Sequence, residues 1–130
     1  MLESPLKIFV GYDPRESVAY HVFCNSVLRR ASVPVSFIPL AKHLVGMGGR
    51  DGSNDFIYSR FLVPYMSGYS GTSMFFDGDM VCLADVAELL KLRTYDPVSC
   101  VKHDYRTKHG RKYLGALNED YARKNWSSVM

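Results

Sequence analysis

A strand, a capped helix and a second strand follow one another at the start of this chain, and that order leaves few folds open. Leu6-Lys7-Ile8-Phe9-Val10 is a short apolar run of the kind that forms a buried strand. Gly11 and Tyr12 lead into Asp13-Pro14-Arg15-Glu16, a strong helix start. Asp13 stands at the N-cap, Pro14 at the first helical position and Glu16 at the capping-box position. The helix is expected to run to about Arg30, with Val18, Val22, Phe23 and Val27 as its apolar stripe. Arg29 and Arg30 suit its C-terminal end, where the helix dipole favours cations. Pro34 to Leu40 reads as the next strand. Strand, helix and strand in this order imply a parallel pair joined by a right-handed crossover.

The rest of the chain extends the pattern. Residues 46–55 are glycine-rich and polar and read as a loop. A second helix is expected over Phe56 to Met66, kinked or cut short by Pro64. A Gly/Ser turn, Ser67 to Ser73, precedes a strand ending at Asp77. A short strand near Val81–Leu83, a helix over Asp85–Leu92 capped by Asp85, and a strand over Val98–Lys102 follow. Residues 103–125 show no clean period, and the chain has no repeat or linker. The reading is one α/β domain over residues 1–130, three-layered and Rossmann-like, with a mostly parallel sheet.

Phe75-Phe76-Asp77-Gly78-Asp79-Met80-Val81 carries the chemistry. Two carboxylates lie one residue apart where a buried strand ends, and Gly78 lets the backbone turn between them. The C-terminal edges of strands in α/β sheets are where ligands bind. Residues 74–84 hold no Lys or Arg, so burying either carboxylate would be costly without a cation. A hard divalent ion carrying phosphates wants such oxygens, so the pattern suggests a metal–diphosphate site. The same tripeptide also serves ordinary turns.

Charge and cysteine usage narrow the class. The net charge is +3, and residues 102–124 hold seven Lys/Arg against three Asp/Glu. That segment would attract phosphates, a nucleic acid or an anionic surface, or form a solvated face. No apolar run is long enough for a membrane span, and no signal peptide is visible, so a cytoplasmic location is expected. Cys24, Cys82 and Cys100 fit reduced core thiols rather than disulfides or a zinc site.

Four segments together resemble glycosyltransferases of the GT-A fold, most closely the family-8-like, glycogenin-related group. They are Ile8 to Asp13, Tyr58 to Tyr65, Phe75 to Val81 and Asn125 to Met130. The resemblance implies a retaining transferase using a UDP-hexose donor, glucose or galactose, with Asp77, Asp79 and Arg60 as its catalytic set. Asp77 and Asp79 would hold Mn²⁺ or Mg²⁺ bridging the donor phosphates. Gly11, Tyr12 and Asp13 would meet the nucleotide. Tyr12 would stack near the base, while Asp13 would hydrogen-bond it or simply cap the helix. Arg60 would reach the sugar or a phosphate, Gly78 would let the backbone approach the ribose, and Ser127 and Ser128 would line the sugar pocket. The family runs well beyond this length, and its histidine metal ligand and most of its acceptor site have no counterpart here. His103 and His109 are candidate third ligands or plain loop histidines. Lys102, Arg106, Lys108, Arg111 and Lys112 would fold over the diphosphate.

Other readings remain open. A nucleotide-sugar-binding module, non-catalytic or dependent on a partner and lacking its own acceptor site, fits the short chain. A haloacid-dehalogenase-type phosphatase would use Asp77 as nucleophile, but that motif normally opens its domain. Nucleic-acid binding through residues 102–124, with Tyr105, Tyr113, Tyr121 and Trp126 interleaved, lacks a recognisable motif. A chain ending on a core-like strand, Trp126 to Met130, exposes an edge that invites self-pairing, so a homo-oligomer is expected. The acceptor is not identified by the sequence.

Overall fold

The apolar run at the start forms β1 (Leu6–Gly11), the centre of a three-stranded parallel sheet. The computed structural model describes residues 4–46, 57–102, 110–111, 117–118 and 126–130. β2 (Val35–Leu40) pairs with one side of β1 and β3 (Ser73–Phe76) with the other. Ile8 faces Phe37 on one side and Met74 on the other, an apolar row across the sheet, whereas the Lys7 row beside it, with Ser36 and Ser73, is polar. The β1–helix–β2 unit therefore forms as expected.

Strand alternation divides the core between the two faces of the sheet. Ile8, Val10, Met74 and Phe76 pack with Phe23 and Val27 of α1 (Ser17–Leu28). Phe9, Leu40 and Phe75 form the opposite cluster, against Val63 of α2 (Val63–Met66) and Met130. Phe9, Phe23 and Phe75 are each fully buried. Each such side chain stabilises the fold by roughly 1.5–3 kcal/mol relative to exposure.

The outer edges are managed differently. The Leu6 N–H donates to Pro34 O at 2.8 Å and the Tyr12 N–H to Leu40 O at 2.9 Å. Even-numbered residues of β2 thus face β1, and Pro39 lies on the outer edge with no N–H to offer another strand. The free edge of β3 is covered by the end of the chain. Phe75 and Met130 exchange N–H···O bonds of 2.8 and 3.0 Å, and the Asp77 N–H donates to Ser128 O at 2.9 Å. The expected C-terminal strand is therefore an antiparallel cover on β3 rather than an open edge.

Several expectations need correction. Among the described residues the parallel sheet is a minimal three-stranded one with short helices, not the larger Rossmann-like GT-A domain. The second helix is a 3₁₀ turn, Ser59–Leu62, running into the four-residue α2, and Pro64 stands at the start of α2 instead of kinking it. Val81–Leu83 is not a strand, and of Val98–Lys102 only Val101 pairs, in a single bridge to Trp126. Asp85 does cap the next helix, accepting from the Ala87 N–H at 2.9 Å, but Val86–Leu92 is 3₁₀. In α1 the buried stripe is Phe23 and Val27, while Val18 and Val22 are 74% and 48% exposed. Two valines and the Phe23–Val27 pair cannot share one face, because Val22 and Phe23 stand about 100° apart around the helix. β4 (Gly110–Arg111) and β5 (Leu117–Asn118) form a separate antiparallel pair.

Candidate functional site at the end of strands one and three

The chain leaves β1 for β2 on one side and returns to β3 on the other. The C-terminal ends of β1 and β3 are thus a topological switch point, where open α/β sheets form their ligand crevice. Gly11-Tyr12-Asp13 and Asp77-Gly78-Asp79 meet there. A Cβ on Gly78 would lie 2.2 Å from the Gly11 carbonyl oxygen, so only glycine permits the approach. Gly78 thus serves the contact between the two strand ends.

Asp13 is 2% exposed and engaged locally. Its carboxylate accepts the Arg15 N–H at 3.0 Å, closing the helix start. The Arg15 guanidinium grips both oxygens, Nε at 2.9 Å and Nη2 at 2.6 Å. The capping role read from the sequence is thus formed. Tyr12 is half-buried, its ring edge-on to Tyr20 at 5.3 Å.

Asp77 is engaged at long range. Arg60, 8% exposed, places Nη2 at 3.1 Å from Asp77 Oδ1. That oxygen has no hydrogen-bond partner, so the contact is Coulombic rather than aligned. Arg60 Nη1 donates to Ser127 O at 2.9 Å and Ser127 Oγ at 3.1 Å. Its guanidinium lies 5.1 Å from the centre of the Phe75 ring. One arginine therefore ties the end of β3 to the covering strand. Burial pushes the Asp77 carboxyl upward, against Arg60 and a hydrogen bond with Ser128, with Asp79 adding to the rise. Burial lowers Arg60, and Asp77 and Asp79 oppose that shift.

Asp79 is exposed and turns toward the start of the first helix. Arg15, Glu16, Val18, Ala19 and Asp79 line an open groove of about 410 Å³. Burial raises the Glu16 carboxyl, Asp79 and Asp13 raise it further, and Arg15 lowers it. Asp79 thus lines the groove at the helix start while Asp77 is held by Arg60, and the two carboxylates still repel each other across Gly78. Glu16 belongs to the site although the sequence offered it only as a capping residue.

This geometry corrects the metal expectation. Among the described residues no group of three or more His, Cys, Asp or Glu is arranged to hold an ion. The cation that Asp77 needs is Arg60, 17 residues away and invisible in the window 74–84. The Mn²⁺ or Mg²⁺ assignment to Asp77 and Asp79 is therefore withdrawn. His103, His109, Arg106, Lys108 and Lys112 lie outside the described residues, as does most of the basic segment; Lys102 is exposed. Cys24, Cys82 and Cys100 are free, and Cys100 is exposed rather than in the core. Among the described residues, no helix is long and apolar enough to cross a membrane.

No family model matches the chain. No solved structure matches it either. Protein CDI of Arabidopsis thaliana is 42% identical over 136 residues, an alignment that covers 98% of this chain and 52% of that protein. The chain spans about half the length of the curated relative it matches. The resemblance to glycogenin-like transferases of the GT-A fold is not upheld, and with it falls the hexosyltransferase activity.

Proposed function

We propose that the chain is a nucleotide-sugar-binding module, non-catalytic or dependent on a partner, that lacks an acceptor site of its own. The observation carrying this reading is the meeting of Gly11-Tyr12-Asp13 with Asp77-Gly78-Asp79 at the switch point between β1 and β3. The edge divides into a fixed part and an available part. Asp13 and Asp77 are each held by an arginine, which fixes the walls. Asp79 and Glu16 present carboxylate oxygens toward the groove, and such oxygens accept hydrogen bonds from sugar or ribose hydroxyls. Tyr12 puts a half-buried aromatic ring next to Asp13 at the end of the first strand, and Arg15, with its side chain 54% exposed, lines the groove as a cation for a diphosphate.

Calorimetric titration with UDP-glucose, UDP and glucose, in the presence of a chelator, tests the reading. UDP-glucose is expected to bind without metal and to be recovered intact after prolonged incubation. Asp79→Asn is expected to weaken binding by about tenfold, the loss of one charge-assisted hydrogen bond. Absence of binding by all three compounds would sink the proposal.

A further inference from the structure

Val18, Val22, Asn25 and Arg29 follow the spacing i, i+4, i+7, i+11 and form one exposed stripe down the outer face of the first helix. The Glu16–Asp79 groove continues past Val18 into a second open groove of about 660 Å³. Val22, Asn25, Ser26, Arg29 and Arg30 line its far part. The segment after β3 lies beside this face: the Cys82 N–H donates to Ser26 Oγ at 2.8 Å. Val81 and Leu83, on either side of Cys82, are exposed.

Charge along this strip is polarised. Glu16 and Asp79 stand at one end, and Arg15 beside them is already bound by Asp13 through two side-chain bonds. Arg29 and Arg30 stand at the other end, Arg30 Nη1 donating to Ser26 O at 3.1 Å. From Glu16 to Arg29 is about 20 Å at 1.5 Å per residue. An order of negative, apolar and positive is complementary to its own reverse. A two-fold axis near Val22 would set each acidic end against the basic end of a second copy, twice over.

We infer that a second copy of this chain packs antiparallel on the outer face of the first helix, with Val18 and Val22 at the seam and Arg29 and Arg30 of that copy completing the Glu16–Asp79 edge. The packing stands on the helix face alone. The completion of the edge rests on the binding function proposed above, and it provides positive charge where Arg15 and Arg60 are both engaged by carboxylates.

Sedimentation velocity on the full chain, in about 0.1 M and about 1 M salt, tests the packing. The wild type is expected to dimerise in a concentration-dependent way and to dissociate at high salt. Val22→Glu, and separately Arg29→Glu with Arg30→Glu, should each weaken association by more than about tenfold through like-charge opposition. Adding Glu16→Arg and Asp79→Arg to the arginine reversals should restore it, an outcome that misfolding cannot mimic. A wild type that stays monomeric at low salt, or a dimer indifferent to Val22→Glu and the charge reversals, would overturn the inference and leave the face to another occupant. UDP-glucose titration separates the two claims. Weaker binding in Arg29→Glu/Arg30→Glu than in wild type supports the completed edge, and equal binding overturns it. A wild-type dimer that binds no UDP-glucose supports the packing and overturns the ligand reading.

Discussion

Asp13 and Asp77 are both low-exposure carboxylates at the ends of neighbouring strands, and each is met by an arginine. They differ in where the arginine comes from. Asp13 takes Arg15 two residues away, within the same turn that it caps. Asp77 takes Arg60 from a separate 3₁₀ segment, and the same guanidinium holds Ser127 near the far end of the chain. The first pair is a local closure. The second joins three distant stretches, so it fails only when tertiary structure fails.

The largest expected effect breaks the second pair. Arg60→Met leaves the half-buried Asp77 without its cation and removes two bonds to Ser127. The cost should be about 3–5 kcal/mol in denaturant unfolding. Arg60→Met combined with Asp77→Leu should lose less than Arg60→Met alone, because the orphaned charge is gone. Equal losses would mean that the ion pair is incidental to the tie.

Gly78→Ala probes the junction between the two strand ends. Its Cβ would meet the Gly11 carbonyl at 2.2 Å, and neither backbone can yield cheaply. A loss of roughly 1–3 kcal/mol is expected, as for overpacking in a core. A stability unchanged within error would show that the strand ends do not pack this closely in solution.

The local pair should matter less. Asp13→Ala removes a cap and is expected to cost about 0.5–2 kcal/mol. Arg15→Met, a half-exposed partner, should cost about 0–1 kcal/mol. If Arg15→Met proved as damaging as Arg60→Met, the contrast between local and long-range pairs would collapse.

The smallest effects are protonic. The folded Asp77 carboxyl lies above its ordinary range because of burial. The native state therefore holds that proton more tightly than the unfolded chain does. The stability it contributes is present below the ordinary aspartate range and is lost as pH rises through the raised value. Asp77→Asn should remove that downward slope from a plot of unfolding free energy against pH. For Glu16 the comparable check is carboxyl titration by NMR in Asp79→Asn, where the Glu16 pKa should fall because one of its raising charges is gone.

These pairs also explain what the sequence disclosed. β1, α1 and β2 were legible because their signals are local: an apolar run, an N-cap with proline behind it, and a second run. Asp85 was legible as a cap for the same reason. The carboxylate at Asp77 was legible as buried and in need of a cation, but the cation was sought within ten residues. Arg60 is delivered by the fold, and nothing in residues 74–84 announces it. The outward turn of Val18 and Val22 was hidden similarly. A helix stripe wide enough to include Val22 and Phe23 has two plausible centres, and only the packing of Phe23 and Val27 on Phe76 chooses between them. Glu16 joined the edge because Asp79 comes to it from the turn after β3.

The most direct measurement is a two-dimensional amide NMR titration of the chain with UDP-glucose in excess chelator. The account predicts that shifts concentrate on Gly11 to Glu16 and Gly78 to Asp79 while the donor stays intact. Shifts confined to other surfaces, or none at saturating donor, would contradict the claim that the switch point between the first and third strands is a binding site.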